Sequence, residues 1–534
     1  STTFYLLSHF LVFANPRHDA TVAPVPMSLR RFLDRLRDAL PECALAAAAV
    51  AAWIFIQHIA LMADVVWQFW IARQLLGGVH LYSQIWEVNP PLWFWSAVPL
   101  EWLAERLGVD WSTVETTFII LLGTVSALLV DRMLELTEWR ERTLLLLAVF
   151  VAVVVIPIAY TGQREQIMLA VGLPYAALIA RRHSWRATPA VMAAAVGLLA
   201  AYGFAFKHYF VLVPMALEIW LGLRLRRAWR PWRPELLALL AAAAVYAVCV
   251  LAFAPEFLTV MVPMVNAAYD VGNASLFHML YRPDVFFWVL AGASLLLFRN
   301  QVRPYTTDVM AAFARSLLVL AAALVVVYAL PHKSWGYHSA PATGAMAVAA
   351  AMYLMRSSRP VQSIFYLALL AWAVVGIYPV EWPVNSFGRY IDTVPQGESL
   401  FVASTDAGMA WPAVDRRKLV WASRSYSLWM VAVLIGDHAG RDAAALDKLA
   451  KQTLTATSDD IRCSPPWLVQ IQRVPATPRD PTGLAMQEFL FRDGNLRQFI
   501  ADHYDRLPDI AEAVAYRRRG QVAGTGGQNC RKIR

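Results

Sequence analysis

Residues 44–64 read ALAAAAVAAWIFIQHIALMAD, a run with no charged side chain until Asp64. A helix of about 20 mostly apolar residues spans a bilayer, so this stretch predicts a membrane segment rather than part of a soluble core. Just upstream stand Arg30, Arg31, Arg35 and Arg37. Basic flanks are retained on the cytoplasmic side, so the run points outward and Asp64 falls on the far face.

Further apolar segments follow at 113–131, 143–160, 166–180, 188–204, 209–223, 235–253, 285–298, 309–330, 341–355 and 361–380. With 44–63 they predict a polytopic α-helical membrane protein of about eleven spans. Composition agrees, because a chain of 534 residues with 58% hydrophobic and only 16% charged residues is too apolar for a water-exposed globule. Basic residues recur on alternate joints: Arg132, Arg140 and Arg142; Arg181, Arg182 and Arg186; Arg224 to Arg233; Arg299 and Arg303; Arg356 and Arg359. That parity fixes one orientation for the whole array. It also disposes of the net charge of +9 as a sign of nucleic-acid binding, since the cations are spread between spans and gathered in no single patch.

The other joints face outward and hold most of the unusual polar residues: Asp64 to Asn89, Thr161 to Glu165, Lys207 and His208, Asp270 to His278, and His332 to His338. In the first of them, Val65 to Leu76 predicts an aromatic-rich interfacial helix that Gly77-Gly78 ends, and Pro90-Pro91 opens a second, Leu92 to Leu103. Beyond Tyr378 hydropathy falls, and strand-like Ser399 to Ala403 and Trp467 to Val474 alternate with helical Ala443 to Thr453 and Gly483 to Arg492. The chain thus divides into a cytoplasmic segment 1–42, in which 1–26 reads as an upstream extension, a transmembrane domain 43–380 whose first outer loop is 64–112, and an extracytoplasmic α/β cap domain 381–534. Cys463 and Cys530 share that cap and could pair in an oxidising compartment, whereas Cys43 and Cys249 lie at apolar spans. No CxxC or His/Cys spacing indicates a metal site, and no cofactor is expected, with a divalent ion left open.

The pattern Asp64…Gly78…Tyr82…Glu87…Asn89-Pro90-Pro91 resembles the first outer loop of GT-C class membrane glycosyltransferases, in particular bacterial, family-39-like members that use polyprenyl-phosphate sugars. Three more stretches are similar to such proteins: Thr161-Gly162-Gln163-Arg164-Glu165-Gln166, His332-Lys333-Ser334-Trp335-Gly336-Tyr337-His338-Ser339-Ala340-Pro341, and Val420-Trp421-Ala422-Ser423-Arg424. The resemblance implies that Asp64 is the general base. It further implies a polyprenyl-phosphate sugar donor, a glycan or lipid acceptor such as a lipid-linked glycan, surface polysaccharide or lipid A, and a bacterial inner membrane with the site and cap in the periplasm. Many relatives place two acids together after the first span, whereas Val65 follows Asp64 here.

Chemistry of that kind needs a base for the acceptor hydroxyl and cations for the phosphate that leaves. Asp64 supplies the first, and Arg164, Lys333, Lys207, His208 and Arg424 are the basic residues on the same side. A base opposite the phosphate predicts inversion at the anomeric carbon. Sugar or acceptor contacts are expected from Glu87, Tyr82, Asn89, Gln163, Glu165, Trp335, Tyr337, His338 and His332. A glycan transporter or flippase would place charges and breaks in mid-span, and a non-enzymatic envelope assembly protein would make the cap its working part.

Overall fold

The structure is a computed structural model that describes residues 27–270, 273–298, 303–357, 360–377, 387–411, 413–436, 441–473, 485–510, 512–522 and 524. The expected extension 1–26, the helix start at Gly483, the strand end at Val474 and Cys530 lie outside the described residues.

The first helix, α1 (Met27–Ile56), ends seven residues earlier than the hydropathy suggests. Short backbone bonds from His58 to Phe55 (3.1 Å) and from Ile59 to Ile56 (2.9 Å) tighten its last turn, and residues 57–62 are a turn followed by irregular chain. Asp64 therefore does not cap the first span. It sits in the first turn of the next helix, α2 (Ala63–Leu76), where the partial positive charge of a helix start favours an acid. The long loop closes with α3 (Leu92–Leu107), which begins at Pro91 as the proline pair predicts.

The remaining apolar segments are helical too: α4 (Trp111–Leu134), α5 (Trp139–Phe150), α6 (Arg164–His183), α7 (Ala190–Phe204), α8 (Leu212–Leu225) and α9 (Pro234–Phe253). One more apolar helix, α10 (Val262–Ala268), was not expected, because Pro255 and Pro263 interrupt a run too short for a span. After the short α11 (Leu276–Leu280) come α12 (Pro283–Leu297), α13 (Asp308–Ala329), α14 (Gly336–Leu354) and α15 (Pro360–Ile377). Among the described residues, 5 helices are long and apolar enough to cross a membrane. The centre of the bundle is α6, buried along nearly its whole length and packed on α4, α7, α13 and α14.

The last part of the chain forms a five-stranded sheet in the order β2 (Val420–Trp421), β1 (Ser399–Ala403), β3 (Leu468–Gln472), β5 (Ala513–Arg518), β4 (Tyr504–Arg506). Pairs β1–β2 and β1–β3 are parallel, and β3–β5 and β4–β5 antiparallel. All five residues of β3 are buried, which marks it as the sheet's middle. The helix α16 (Ala443–Cys463) runs ten residues past the expected Thr453, capped at its start by the Asp442 carboxylate. Cys463 is disulfide-bonded, while Cys43 and Cys249 are free.

The sheet region sits on the first long loop. Trp67 stacks between Trp70 (ring centroids 4.5 Å apart) and Tyr426 (5.1 Å), and Trp411 meets Trp67 edge-on at 5.3 Å. A parallel bridge pairs Trp86 with Ser425, and Trp111 donates to Asp415 at 3.0 Å. Under this packing residues Val65 to Ala72 of α2 are all buried, with the Trp411 and Tyr426 rings of the sheet region against Trp67.

Candidate active site at one end of the helical bundle

Asp64 is half-buried, and both of its oxygens are engaged by neutral donors: Oδ2 accepts from Gln163 Nε2 at 3.3 Å and Oδ1 from Tyr426 Oη at 3.1 Å. Gln163 reaches it from the turn Thr161-Gly162-Gln163 that leads into α6. Gly162 makes that turn possible with φ +87°, and a Cβ there would lie 2.8 Å from Glu115 Oε1 and 3.0 Å from Val65 Cγ1. Gln166 ties the turn down, since its Oε1 accepts from the Gly162 N–H at 2.8 Å and its amide donates to Val153 O at 3.0 Å.

Arg164 begins α6 and is 3% exposed. Its guanidinium donates to Asn89 Oδ1 and lies over the Trp93 ring, 4.1 Å from the centroid. Asn89 is in turn fixed by Glu87, whose Oε1 accepts from its backbone N–H (2.8 Å) and its side-chain amide (2.6 Å). The other Glu87 oxygen takes the Trp67 indole N–H at 2.7 Å. Tyr82 turns inward and donates to Asn89 O at 2.6 Å. Glu87 and Tyr82 thus hold Asn89, and Asn89 aims Arg164.

Next to Arg164, Glu165 Oε1 accepts from Lys207 Nζ at 2.6 Å, and His338 Nε2 lies 3.3 Å from both Lys207 Nζ and that same carboxylate oxygen. All three residues are under 10% exposed. Four buried polar atoms here have no hydrogen-bond partner among the described residues: Gln163 Oε1, Arg164 Nε, Glu165 Oε2 and His338 Nδ1. Buried polar atoms are nearly always paired, with protein or with water, so these four are positions from which water or a polar ligand can be bound.

Lys333 is buried, donates to Tyr269 O at 2.6 Å and stands 4.5 Å from that tyrosine's ring centre. Its neighbours His332 (φ 53°) and Ser334 (φ 57°) both hold left-handed backbone, a conformation non-glycine residues adopt only where surroundings enforce it. Arg282 enforces it by donating to Ser334 O at 2.9 Å while paired with Asp284, and the Ala274 N–H donates to His332 O at 2.5 Å. The charges of Lys207, Arg164 and Lys333 all reach the His338 ring, and Asp64 acts on both Arg164 and Lys207. Burial lowers the Lys207 ammonium to about 8, with Glu165 opposing, and burial likewise lowers Lys333 to about 8.

The structure therefore gathers Asp64, Gln163, Arg164, Glu165, Lys207, Lys333, His338, Tyr337, Asn89 and Glu87 at one end of the bundle. Tyr337 and His338 belong to the first turn of α14 and not to a surface loop, because Gly336 packs so closely on Ile377 and Tyr160 that the helix can begin there. Other candidates stand outside it or at its edge. Arg424 is bound by Asp460 through both guanidinium and backbone N–H, at 2.7 to 2.9 Å, and stands outside the cluster. His208, His332 and Trp335 are exposed, the Trp335 ring lying 5.3 Å from that of His338 and 5.6 Å from that of Tyr337. Two members escaped the sequence: Tyr426, two residues beyond the motif that ends at Arg424, and Tyr269, on which Arg164, Asp64, Glu87 and Glu165 all act. Among the described residues no group of three or more His, Cys, Asp or Glu could hold a metal ion.

No protein-family model matches the chain, and no curated protein matches it. Among solved structures it is similar to ArnT from Cupriavidus metallidurans bound to undecaprenyl phosphate, at 14% identity and a TM-score of 0.49, over 90% of this chain and 98% of that one. The same protein in its apo state aligns at 13% identity and a TM-score of 0.40. The arabinofuranosyltransferase AftD from Mycobacteria aligns at 14% identity and a TM-score of 0.43, over 89% of this chain and 40% of that one.

Proposed function

We propose that the chain is an inverting glycosyltransferase that moves a single sugar from a polyprenyl-phosphate donor to a lipid-linked glycan, surface polysaccharide or lipid A. In this proposal about eleven spans make up residues 43–380, the N-terminus is cytoplasmic, and residues 381–534 form a cap on the periplasmic face of a bacterial inner membrane. One observation carries it: a half-buried carboxylate, Asp64, is held by two neutral donors within electrostatic range of Arg164 and Lys207, and Gln163 Oε1, Arg164 Nε and Glu165 Oε2 have no hydrogen-bond partner among the described residues.

Neutral donors orient a carboxylate without neutralising it, so Asp64 remains able to take a proton from an acceptor hydroxyl. The hydroxyl oxygen then attacks the anomeric carbon as the bond to the phosphate oxygen breaks. The phosphate departs with the electron pair, and Arg164, Lys207 and Lys333 are the cations that stabilise it. Glu165 and His338 position Lys207, while Glu87 and Asn89 position Arg164. The polyprenyl tail stays in lipid and its head group enters between α2, α6 and the 332–338 segment.

Asp64→Asn tests the assignment. The variant, present in the membrane at wild-type level, should transfer sugar about 10²–10⁴-fold more slowly, as expected for loss of a general base. Transfer at the wild-type rate would defeat it.

A further inference from the structure

The face of α16 that looks toward the first long loop is a stripe: Gln452, Thr455, Ala456 and Asp459 follow one another at helical spacing. Opposite them stand Trp86 and Arg424, and between the two sides is an open groove of about 320 Å³ that Lys451 borders. The opposite side of the helix is buried through Leu446, Leu449, Thr457 and Ile461, so the stripe cannot rotate away. The small side chain of Ala456 leaves the hollow at its middle.

Rigid parts surround it. Trp86 donates its backbone N–H to Arg424 O at 2.7 Å, and the Arg424 guanidinium lies 5.8 Å from the Trp86 ring centre while Asp460 holds it. The groove also connects to the base through covalent neighbours. Residue 424 lines it, residue 425 bridges Trp86, and residue 426 donates to Asp64. On the other side, Trp86 precedes Glu87, which holds Asn89 and through it Arg164.

We infer that this groove is the acceptor's saccharide subsite, taking one or two sugar rings with a ring face on Trp86 and hydroxyls on Gln452, Thr455, Asp459 and Arg424. An aromatic face beside an amide, a hydroxyl, a carboxylate and a guanidinium matches the alternating apolar faces and polar edges of a pyranose or furanose. Its volume is at the small end of the roughly 300–1,000 Å³ of ligand sites, too little for acyl chains or a long glycan. The inference rests on the transferase assignment above and adds to it where the acceptor lies.

Two measurements test it separately from that assignment. The first uses the full-length chain in membrane vesicles, with Gln452→Cys carrying a photoactivated diazirine and the total glycolipid extract of cells that make the protein as probe. A sugar-bearing adduct should map to the peptide containing position 452, and Trp86→Ala should remove it. No sugar adduct, or an equal yield from Arg497→Cys on an exposed face of the helix Gly494–His503, overturns the groove. The second measures sugar transfer against acceptor amount with the same extract. Thr455→Trp, a filling change at an exposed position, should raise the amount needed for half-maximal rate at least tenfold and leave the rate at saturation within twofold; an unchanged requirement overturns the groove. Asp64→Asn, by contrast, should lower the rate at every acceptor amount. A wild-type chain that transfers no sugar defeats the transferase assignment, and the crosslink then decides the groove alone.

Discussion

Helix α6 carries arginine at both ends, and the two ends are built on opposite principles. At its C-terminal end, Arg181 donates through all three nitrogens, to Thr188, Met133 O, Glu135 and Ala187 O, and Arg182 grips the fully buried Glu235 with two bonds of 2.8 and 2.9 Å. At its N-terminal end, about 26 Å away along the axis, Arg164 has among the described residues one side-chain acceptor in Asn89 and a buried Nε with none. A satisfied ion-pair network fixes a fold; a half-satisfied one costs stability and is kept where a ligand completes it.

Breaking each end should therefore give opposite phenotypes. The largest expected effect is on folding: Arg182→Ala leaves the fully buried Glu235 carboxylate with Arg233 alone, 3.3 Å away, and should destabilise the protein by about 3 kcal/mol, read as lost folded yield and a lower melting temperature in detergent. Arg164→Gln should do the reverse. Transfer should fall by about 10²–10³-fold with the melting temperature kept within a few degrees, because the substitution removes a cation that the protein itself only partly answers. If Arg164→Gln unfolds the chain or Arg182→Ala spares it, the contrast between the ends is wrong.

Tyr426→Phe probes the same end more gently. It removes one of the two donors to Asp64 and leaves the ring on Trp67, so the turnover number should drop about 10- to 150-fold, the equivalent of a hydrogen bond to a charged group, with donor KM unchanged. Smallest of all is a pH effect. Lys207 and Lys333 titrate near 8, so each carries its positive charge below that value and loses it above. Donor affinity should hold at pH 6 to 7 and weaken by a few fold as pH rises through 8, and Lys333→Arg should move that limb upward. A donor KM independent of pH up to 10 would remove both lysines from the phosphate site.

Much of this contrast was legible in the sequence, since hydropathy and loop parity put Arg164 and Arg181 on different sides of one apolar helix, and Gln163-Arg164-Glu165 and Lys333 to His338 stood out as polar runs between apolar ones. What could not be read were partners brought together only by folding. Tyr426 meets Asp64 across 362 residues, and no periodicity predicts that. The pairing of Arg424 with Asp460 across 36 residues was hidden for the same reason. The early end of α1 was hidden because Ile59 to Ala63 are as apolar as the helix before them, and only backbone geometry shows the turn.

The aromatic stack of Trp70, Trp67, Trp411 and Tyr426 also constrains how such a chain can change over time. Two of these rings come from the first long loop and two from the sheet region, and the tyrosine that closes the stack also touches the base. The last 150 or so residues are thus not a detachable module that could be exchanged between relatives to redirect specificity. A graft that brings a foreign sheet region without its matching Trp67 and Trp70 would lose its seat and the orientation of Asp64 together, so the two parts must be inherited as a pair.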